Sequence, residues 1–396
     1  MKVLHLTFSD HFGGANIAAY RLHKCLEPKI FSRLLVYKKK KKEKNIVKFI
    51  DTAFVSIKIK NYLIKFLDLL SLNKTKNSYN IFNSGIVKYI NKLDIDILHM
   101  HWINNELISI EEISKIKKPV IWTFHDMWPI CGTEHYSAYK RYIDGYSSKN
   151  KNFLGFDFEK YIWQKKKKFF KKNITIVTPS LWLKKKVFSS YIFKNKKTYL
   201  IRNPINTKLW KPNLRIIKKN ETIKLLFCGA HFISDSRKGF YSLVNNLNEH
   251  LSRYKFELYT IGDKIPPGLN NNFLIKELSY TDNEKKLISH FSKCDALLLP
   301  SISDNFPNVG IEALSLGIPV ISLKNNGIKE VIKNKRNGLI LSSFNKKNLK
   351  NALDWVKKNR YKKYFKKKIH TNISKQVSYD IISEKMINLY YKILNG

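Results

Sequence analysis

Between Asp295 and Ile321 the chain spells out a β–α–β unit, and such a unit restricts the fold to a parallel α/β architecture. The run Asp295-Ala-Leu-Leu-Leu-Pro300 reads as a buried strand and Ile318-Pro-Val-Ile321 as its successor. Between them Pro307 stands near the first turn of a helix, and Gly317 stands where that helix stops. Asp304 then lies in the loop ahead of the helix, with Glu312 one turn inside. The amides of Asn308, Val309 and Gly310 open the helix, and a helix N-terminus favours phosphate. Carboxylates for sugar hydroxyls beside amides for a diphosphate describe a nucleotide-sugar site. An ordinary helix with an acidic first turn has the same spacing.

The pattern recurs along the chain. Lys2 to Phe8 reads as a strand, followed by Gly13-Gly14 and then Ala15, Ala18, Ala19, Leu22, Cys25 and Leu26 at helical spacing. This opens a doubly wound domain. The two glycines either let backbone approach a ligand or serve a tight turn with positive φ. No third glycine follows, so the dinucleotide fingerprint is absent and a nicotinamide cofactor is not expected. Asp94 to His99 and Val120 to Phe124 are further strands, ending in His99-Met-His101-Trp102-Ile103 and His125-Asp126-Met-Trp128-Pro129. Polar strand ends are where open α/β sheets hold ligands. Ile174 to Ser180 reads as strand and cap ahead of a helix. The strand Ile223 to Gly229 leads through a loop to Arg237-Lys238-Gly239, and a cation pair in that position suits a diphosphate. A solvated basic turn has the same composition. Phe256 to Gly262 is a further strand, and Tyr379 to Leu394 carries apolar residues at helical spacing.

With 396 residues and 43% hydrophobic content the chain can bury two cores. The four cysteines, Cys25, Cys131, Cys228 and Cys294, show neither metal-like nor disulfide-like spacing, which fits a reducing cytosol. The first ten residues are too short and too soon acidic for a signal peptide. Ile46 to Leu72 is interrupted by Lys58, Lys60 and Lys65, so it does not span a bilayer; with Lys48 it suits an interfacial helix, or a core helix. The net charge of +44 admits three readings: nucleic acid, an anionic membrane face, or compositional bias. Its lysines come in bare runs (38–42, 165–168, 184–186) without nucleic-acid modules, which argues against the first. Asp94 and Asp96 have Asp-x-Asp spacing but are read as lying within a strand, so no metal site is expected.

Asp304-Asn-Phe-Pro-Asn308, then Glu312, then Ala313-Leu-Ser-Leu-Gly-Ile-Pro-Val320 resembles the donor signature of family 4 retaining glycosyltransferases. The His99–Ile103 and Trp122–Trp128 segments resemble that family's surface-polysaccharide and lipopolysaccharide branch. Leu200 to Asn206 is similar to the segment leading out of its first domain. The resemblance implies the GT-B fold, two Rossmann-like doubly wound α/β domains facing a central cleft. An acceptor domain would span 1–210 and a donor domain 211–378, with the polar stretch Lys211 to Glu221 as linker and helix 379–396 packing back onto the first domain. It implies a catalytic set of His125, Asp304, Lys238 and Arg237, with His125 near the donor sugar and the two cations neutralising the leaving diphosphate. Donor binding would fall to Gly13, Gly14, Asn305, Phe306, Asn308, Val309 and Glu312, the last on the ribose hydroxyls, and to the Asp304, Arg237 and Lys238 already named. His101 and Trp102 would shape the acceptor side.

Three departures stand out. Asp304 replaces the usual Glu, Asn206 replaces the usual Asp, and Gly132-Thr-Glu-His-Tyr136 replaces a cysteine-bearing run, so a cysteine-based metal or staple is missing. The expectation is a metal-independent, cofactor-free retaining enzyme moving a sugar from a nucleotide-diphosphate sugar to a glycan or lipid-linked acceptor. It would be cytoplasmic and peripheral on an anionic membrane face, with no nucleic-acid partner. An epimerase or phosphorylase on the same fold, or a charge-driven nucleic-acid binder, is the alternative.

Overall fold

A computed structural model describes the chain except for residues 51–56, 70–76, 138, 149–155, 171–172, 214–221, 249–253 and 270–271. The chain divides into two compact units, Met1–Arg202 with Ser383–Gly396, and Asn203–Ile382. The first holds strands β1 (Lys2–Ser9), β2 (Phe31–Lys38), β3 (Ile46–Lys48), β4 (Ile97–Met100), β5 (Val120–Thr123), β6 (Ile174–Thr178) and β7 (Thr198–Leu200). They form one sheet in the order β3-β2-β1-β4-β5-β6-β7. The second unit holds β8 (Ile223–Gly229), β9 (Phe256–Gly262), β10 (Leu274–Leu278), β11 (Ala296–Leu299), β12 (Val320–Leu323) and β13 (Gly338–Leu341). Their order is β10-β9-β8-β11-β12-β13. Every strand pairing within the two sheets is parallel. The helices of the parallel crossovers cover the sheet faces, so central strands such as Ala296-Leu-Leu-Leu299 are buried on both sides and read as unbroken apolar runs. The expected Rossmann-like α/β class is what the chain adopts.

In each sheet the strand order reverses once, between β1 and β4 and between β8 and β11. Open α/β sheets bind ligands outside the carboxyl ends of the strands at such a point. The two faces of the first sheet differ. Leu4, Leu6, Phe8, Leu98, Met100, Val120, Trp122 and Ile176 belong to one apolar core. The residues that alternate with them on β1, β4 and β5 include His5, Thr7, His99 and Thr123, all buried.

Three details depart from the sequence reading. Asp94 and Asp96 precede β4, at the end of the sheet opposite the ligand edge; the Asp94 carboxylate pairs with the Lys2 ammonium, and that of Asp96 accepts the Lys2 amide at 2.7 Å. The segment 46–72 is not one helix: β3 opens it, and a helix covers Ile57–Leu69, with 51–56 and 70–72 outside the described residues. Lys60 in that helix is buried and its Nζ donates to the Asn83 carbonyl at 3.2 Å, so it is no surface charge. The exposed side instead carries Ile59, Tyr62, Leu63, Phe66 and Leu69, with Lys65 beside them. As for the linker, the break between units falls at Arg202–Asn203, because Ile205 and Trp210 are already fully buried in the second unit's core; 214–221 lie outside the described residues. Among the described residues no helix is long and apolar enough to cross a membrane.

Candidate functional site

In the second unit the switch point gathers the cationic turn and the acidic loop. The turn Ser236–Lys238 follows β8 and ends at Gly239, whose φ is +72° and whose Cβ, were there one, would lie 2.6 Å from the Pro300 carbonyl oxygen. Only glycine tolerates both conditions. That close approach stitches the turn to the end of β11: the Ile302 amide donates to the Arg237 carbonyl at 2.9 Å, and Arg237 Nη1 donates to the Ser303 carbonyl at 2.6 Å. Lys238 Nζ consequently reaches Asp304 Oδ2 at 2.8 Å, with Arg237 Nη1 at 3.6 Å from the same oxygen and Arg237 Nη2 on Asp235 at 2.7 Å. One carboxylate oxygen thus sits against both cations. The ends of β8 and β9 also press together, since a Cβ on Gly262 would lie 1.9 Å from the Gly229 oxygen.

The helix Asn308–Ser315 starts after Pro307, and Gly317 at φ +71° stops the chain from continuing it. Glu312 is buried one turn in. Burial, then the Glu312 charge, pushes the thiol of Cys228 on β8 well up. The Gly310 amide closes on the Pro307 carbonyl at 3.0 Å, so of the three amides expected to face a phosphate this one is engaged by its own turn. Asn305 is buried, the Phe306 ring packs in the core, Val309 packs against that core, and Asn308 Oδ1 accepts from Asn203 at 3.1 Å.

The first unit has its own cluster at the β1/β4 switch point. Gly13 has φ +84° and caps the helix Gly14–Leu26 without a side chain. Asp10, fully buried, accepts the amides of Lys40 and Lys41 at 3.0 and 2.8 Å, fixing the loop after β1 to the loop after β2. His101 Nδ1 lies 3.2 Å from His125 Nε2. Trp102 Nε1 donates to Asp126 Oδ2 at 3.2 Å, and His135 Nδ1 meets the same oxygen at 2.6 Å while its Nε2 meets Ser78 Oγ at 2.9 Å. Burial alone would raise the Asp126 carboxyl, but the His135 contact and the Trp128 amide hold it below the usual range. Burial keeps His125 neutral, its pKa lowered to about 4.

Sequence reading missed four members of these clusters. Asp126 and His135 lay inside quoted motifs, and only the fold shows them sharing a contact. His5 is the polar member of an apolar/polar alternation, Leu4-His5-Leu6-Thr7-Phe8, which was the available signal. Asp263, which accepts the amides of His231 and Ile233 at 3.0 Å each, left no signal beyond following a strand-ending glycine.

A buried lysine takes hold of the loop around residues 128–132. Lys166 Nζ donates to the carbonyls of Trp128, Cys131 and Gly132 at 2.6, 3.0 and 2.6 Å and lies 3.5 Å from the centre of the Trp128 ring. Glu134 accepts from Tyr146 at 2.5 Å, and Tyr146 in turn accepts the Gly132 amide at 2.5 Å.

Two family models match, Glycosyltransferase Family 4 over residues 12–209 and Glycosyl transferases group 1 over residues 269–375. The chain belongs to glycosyltransferase family 4. Among relatives of this family 4 chain, WcaC of Escherichia coli K12, named for colanic acid biosynthesis, is 25% identical over 61% of this chain and 61% of its own length. An uncharacterised 41.2 kDa protein in the cps region of Klebsiella pneumoniae is 27% identical over 65% of this chain and 68% of its own. The match to WcaC therefore spans less than two thirds of that relative. Similar solved structures include Anabaena HepE in complex with UDP-glucose, at TM-score 0.65, 13% identity and coverage of 99% and 100% of the two chains. WaaG, a glycosyltransferase involved in lipopolysaccharide biosynthesis, aligns at TM-score 0.62, 14% identity and coverage of 98% and 99%. At such identities these likenesses establish the fold, which is GT-B.

Proposed function

We propose that this family 4 member transfers a sugar, with retention of anomeric configuration, from a nucleoside-diphosphate sugar to a glycan or lipid-linked acceptor in surface-polysaccharide assembly. The observation that carries the reading is the placement of Lys238, Arg237, Asp304 and Glu312 together at the β8/β11 switch point. A diphosphate leaving group develops negative charge as the glycosidic bond breaks. Arg237 brings a planar fork of donors and Lys238 a compact charge, so the pair can stabilise that charge without a metal ion or other cofactor. Asp304 already holds both cations and would turn toward sugar hydroxyls when phosphate oxygens replace it. Glu312 would accept ribose hydroxyls, while Asn305, Phe306, Asn308 and Val309 shape the helix start. His125 would contact the donor sugar, with Gly13 and Gly14 allowing backbone approach and His101 and Trp102 toward the acceptor. HepE's complex with UDP-glucose and the naming of WcaC support the donor class and the pathway. Both matching family models are glycosyltransferase models, which disfavours the epimerase, phosphorylase and nucleic-acid readings.

The test is a screen of nucleotide sugars for thermal stabilisation, followed by turnover with EDTA present and determination of the product's anomeric configuration. Lys238→Ala is expected to lower turnover about 10²- to 10³-fold, the scale for one lost transition-state donor. Binding of no nucleotide sugar, inversion, or activity restored only by a divalent cation would each overturn the corresponding part. We further infer that the protein is cytoplasmic and docks on an anionic membrane face. The apolar row Ile59, Tyr62, Leu63, Phe66 and Leu69, beside Lys65 on a chain of net charge +44, supports this. Flotation with anionic vesicles should be lost in Phe66→Asp; equal flotation of the two proteins, or none by the parent, refutes it.

A further inference from the structure

Four histidines line one face of the first sheet, and three of them, His5, His101 and His125, form a file that ends at His125. His5 on β1 pairs in register with His99 on β4, His101 stands two residues on, and His125 follows β5. His5 Nδ1 lies 3.1 Å from His101 Nε2, and His101 Nδ1 lies 3.2 Å from His125 Nε2. His99 is not a link in this file but its clamp. Its ring stacks on His101 at 4.3 Å, and its nitrogens are held by the Tyr390 hydroxyl and Thr123 Oγ1, each at 2.7 Å. One nitrogen from each of His5, His99 and His101 lies within 4.8 Å of the others, close enough to suggest a metal. The chemistry argues otherwise. Both nitrogens of His99 and of His101 already have hydrogen-bond partners, which a metal ion would have to displace.

Burial holds all four rings neutral at neutral pH. A neutral imidazole carries one N–H and one lone pair, so His101, bonded to a ring on each side, must donate to one and accept from the other. The file therefore has two proton arrangements. In one, protons run from His125 toward His5 and leave a His5 Nε2–H in the interior with no acceptor. In the other they run from His5 toward His125 and leave His5 Nε2 as a bare lone pair. His5 Nε2 is buried and unpartnered, and a stranded N–H is the rarer defect in folded interiors.

We infer that His5 and His101 are positioning residues that fix His125 as the tautomer accepting at Nε2 and protonated at Nδ1. His125 then has a hydrogen-bond donor at the nitrogen away from His101. The consequence for sugar binding rests on the role proposed for His125, but the tautomer does not, and it can be read without activity. Nitrogen-15 NMR of the histidine-labelled full chain is expected to show Nδ1–H at His125, unchanged by EDTA. His101→Phe removes the donor and should admit the Nε2–H form of His125. Tyr390→Phe cuts a hydrogen bond of similar burial outside the file and should leave the tautomer as it was. Nε2–H at His125 in the parent, an unchanged tautomer in His101→Phe, or ring signals that shift on chelation would each overturn the assignment. If sugar transfer is measurable, His101→Phe should lower kcat about ten-fold or more with little change in the KM of the nucleotide sugar; an effect on KM alone also counts against it.

Discussion

Replacing Lys166 with Met should release the loop that carries Asp126 and His135. Methionine keeps the length and most of the volume of the side chain but donates nothing. The carbonyls of Trp128, Cys131 and Gly132 would then lose their shared donor in a fully buried site. Each stranded acceptor costs about 1–3 kcal/mol. Relief from burying an ammonium, whose pKa is pushed to about 7 by that burial, offsets part of this. Removing one partner from a buried charged network typically leaves a net loss of about 3–5 kcal/mol. Cys131 supplies a local reporter: its thiol is fully buried beside the loop, and burial pushes its pKa well up, so it reacts only when the loop opens. A loss of about 3 kcal/mol in the free energy of opening predicts site-specific labelling of Cys131 roughly 10²-fold faster. Lys166→Arg, which keeps a charge and several donors, should fall between the two. Labelling of the Met variant within about three-fold of the parent, a difference below about 1 kcal/mol, would refute the claim that this lysine holds the loop.

Glu312→Gln should weaken nucleoside-diphosphate binding by about 1.5–3 kcal/mol while the second unit unfolds as in the parent; calorimetry with unchanged affinity would remove Glu312 from the site. Gly262→Ala should destabilise that unit by about 2–3 kcal/mol, because the new Cβ would meet the Gly229 oxygen at 1.9 Å at φ +142°. Gly229→Ala, with open space around its Cβ, should unfold like the parent, and equal urea midpoints for the two variants would contradict the packing account. Acid should destabilise the first unit in a set window. Burial lowers His23 and His125 to about 4 and His99 to about 3, against an ordinary value of 6.5. Below pH 6.5 the unfolded chain takes up protons that the folded one refuses. Stability is therefore fully present above pH 6.5 and falls, by several kcal/mol in order of magnitude, as pH drops toward 4. A urea midpoint for this unit that stays level from pH 7 to pH 4.5 would show that these rings are not held neutral.

Most strands were legible because parallel sheets bury both faces and leave short runs rich in apolar residues. Lys2–Ser9, Ile174–Thr178, Ile223–Gly229 and Phe256–Gly262 fall where those runs predict them. The helix after Pro307 was equally plain, since Pro and Gly mark opposite ends of a helix for separate steric reasons. What could not be read was which polar residues turn inward. Lys166 belonged to a bare lysine run, yet it continues the buried stripe of Ile162 and Trp163 on its helix. Lys60 interrupts an apolar stretch and so reads as surface charge, yet it is buried. A charged side chain goes inside only when distant carbonyls are waiting, and those partners are set by tertiary structure. The pairing of Lys238 with Asp304 has the same origin: two residues far apart in sequence meet because β8 and β11 are neighbours in the sheet.

The helix Tyr379–Leu394 begins in the second unit and ends in the first, where Tyr390 bonds His99 and Ser383 accepts from Lys29 at 2.8 Å. On the ribosome this reverses the usual order of completion. The first unit emerges early but lacks its closing segment until every residue from 203 to 382 has been made. At roughly 5–20 residues per second, that wait is on the order of ten seconds or more. Throughout it the histidine-lined face stays uncovered by its final helix, while the second unit can fold as soon as it is released. The part of the molecule made first is thus finished last, and a stalled or truncated nascent chain would hold a complete second unit beside an open first one.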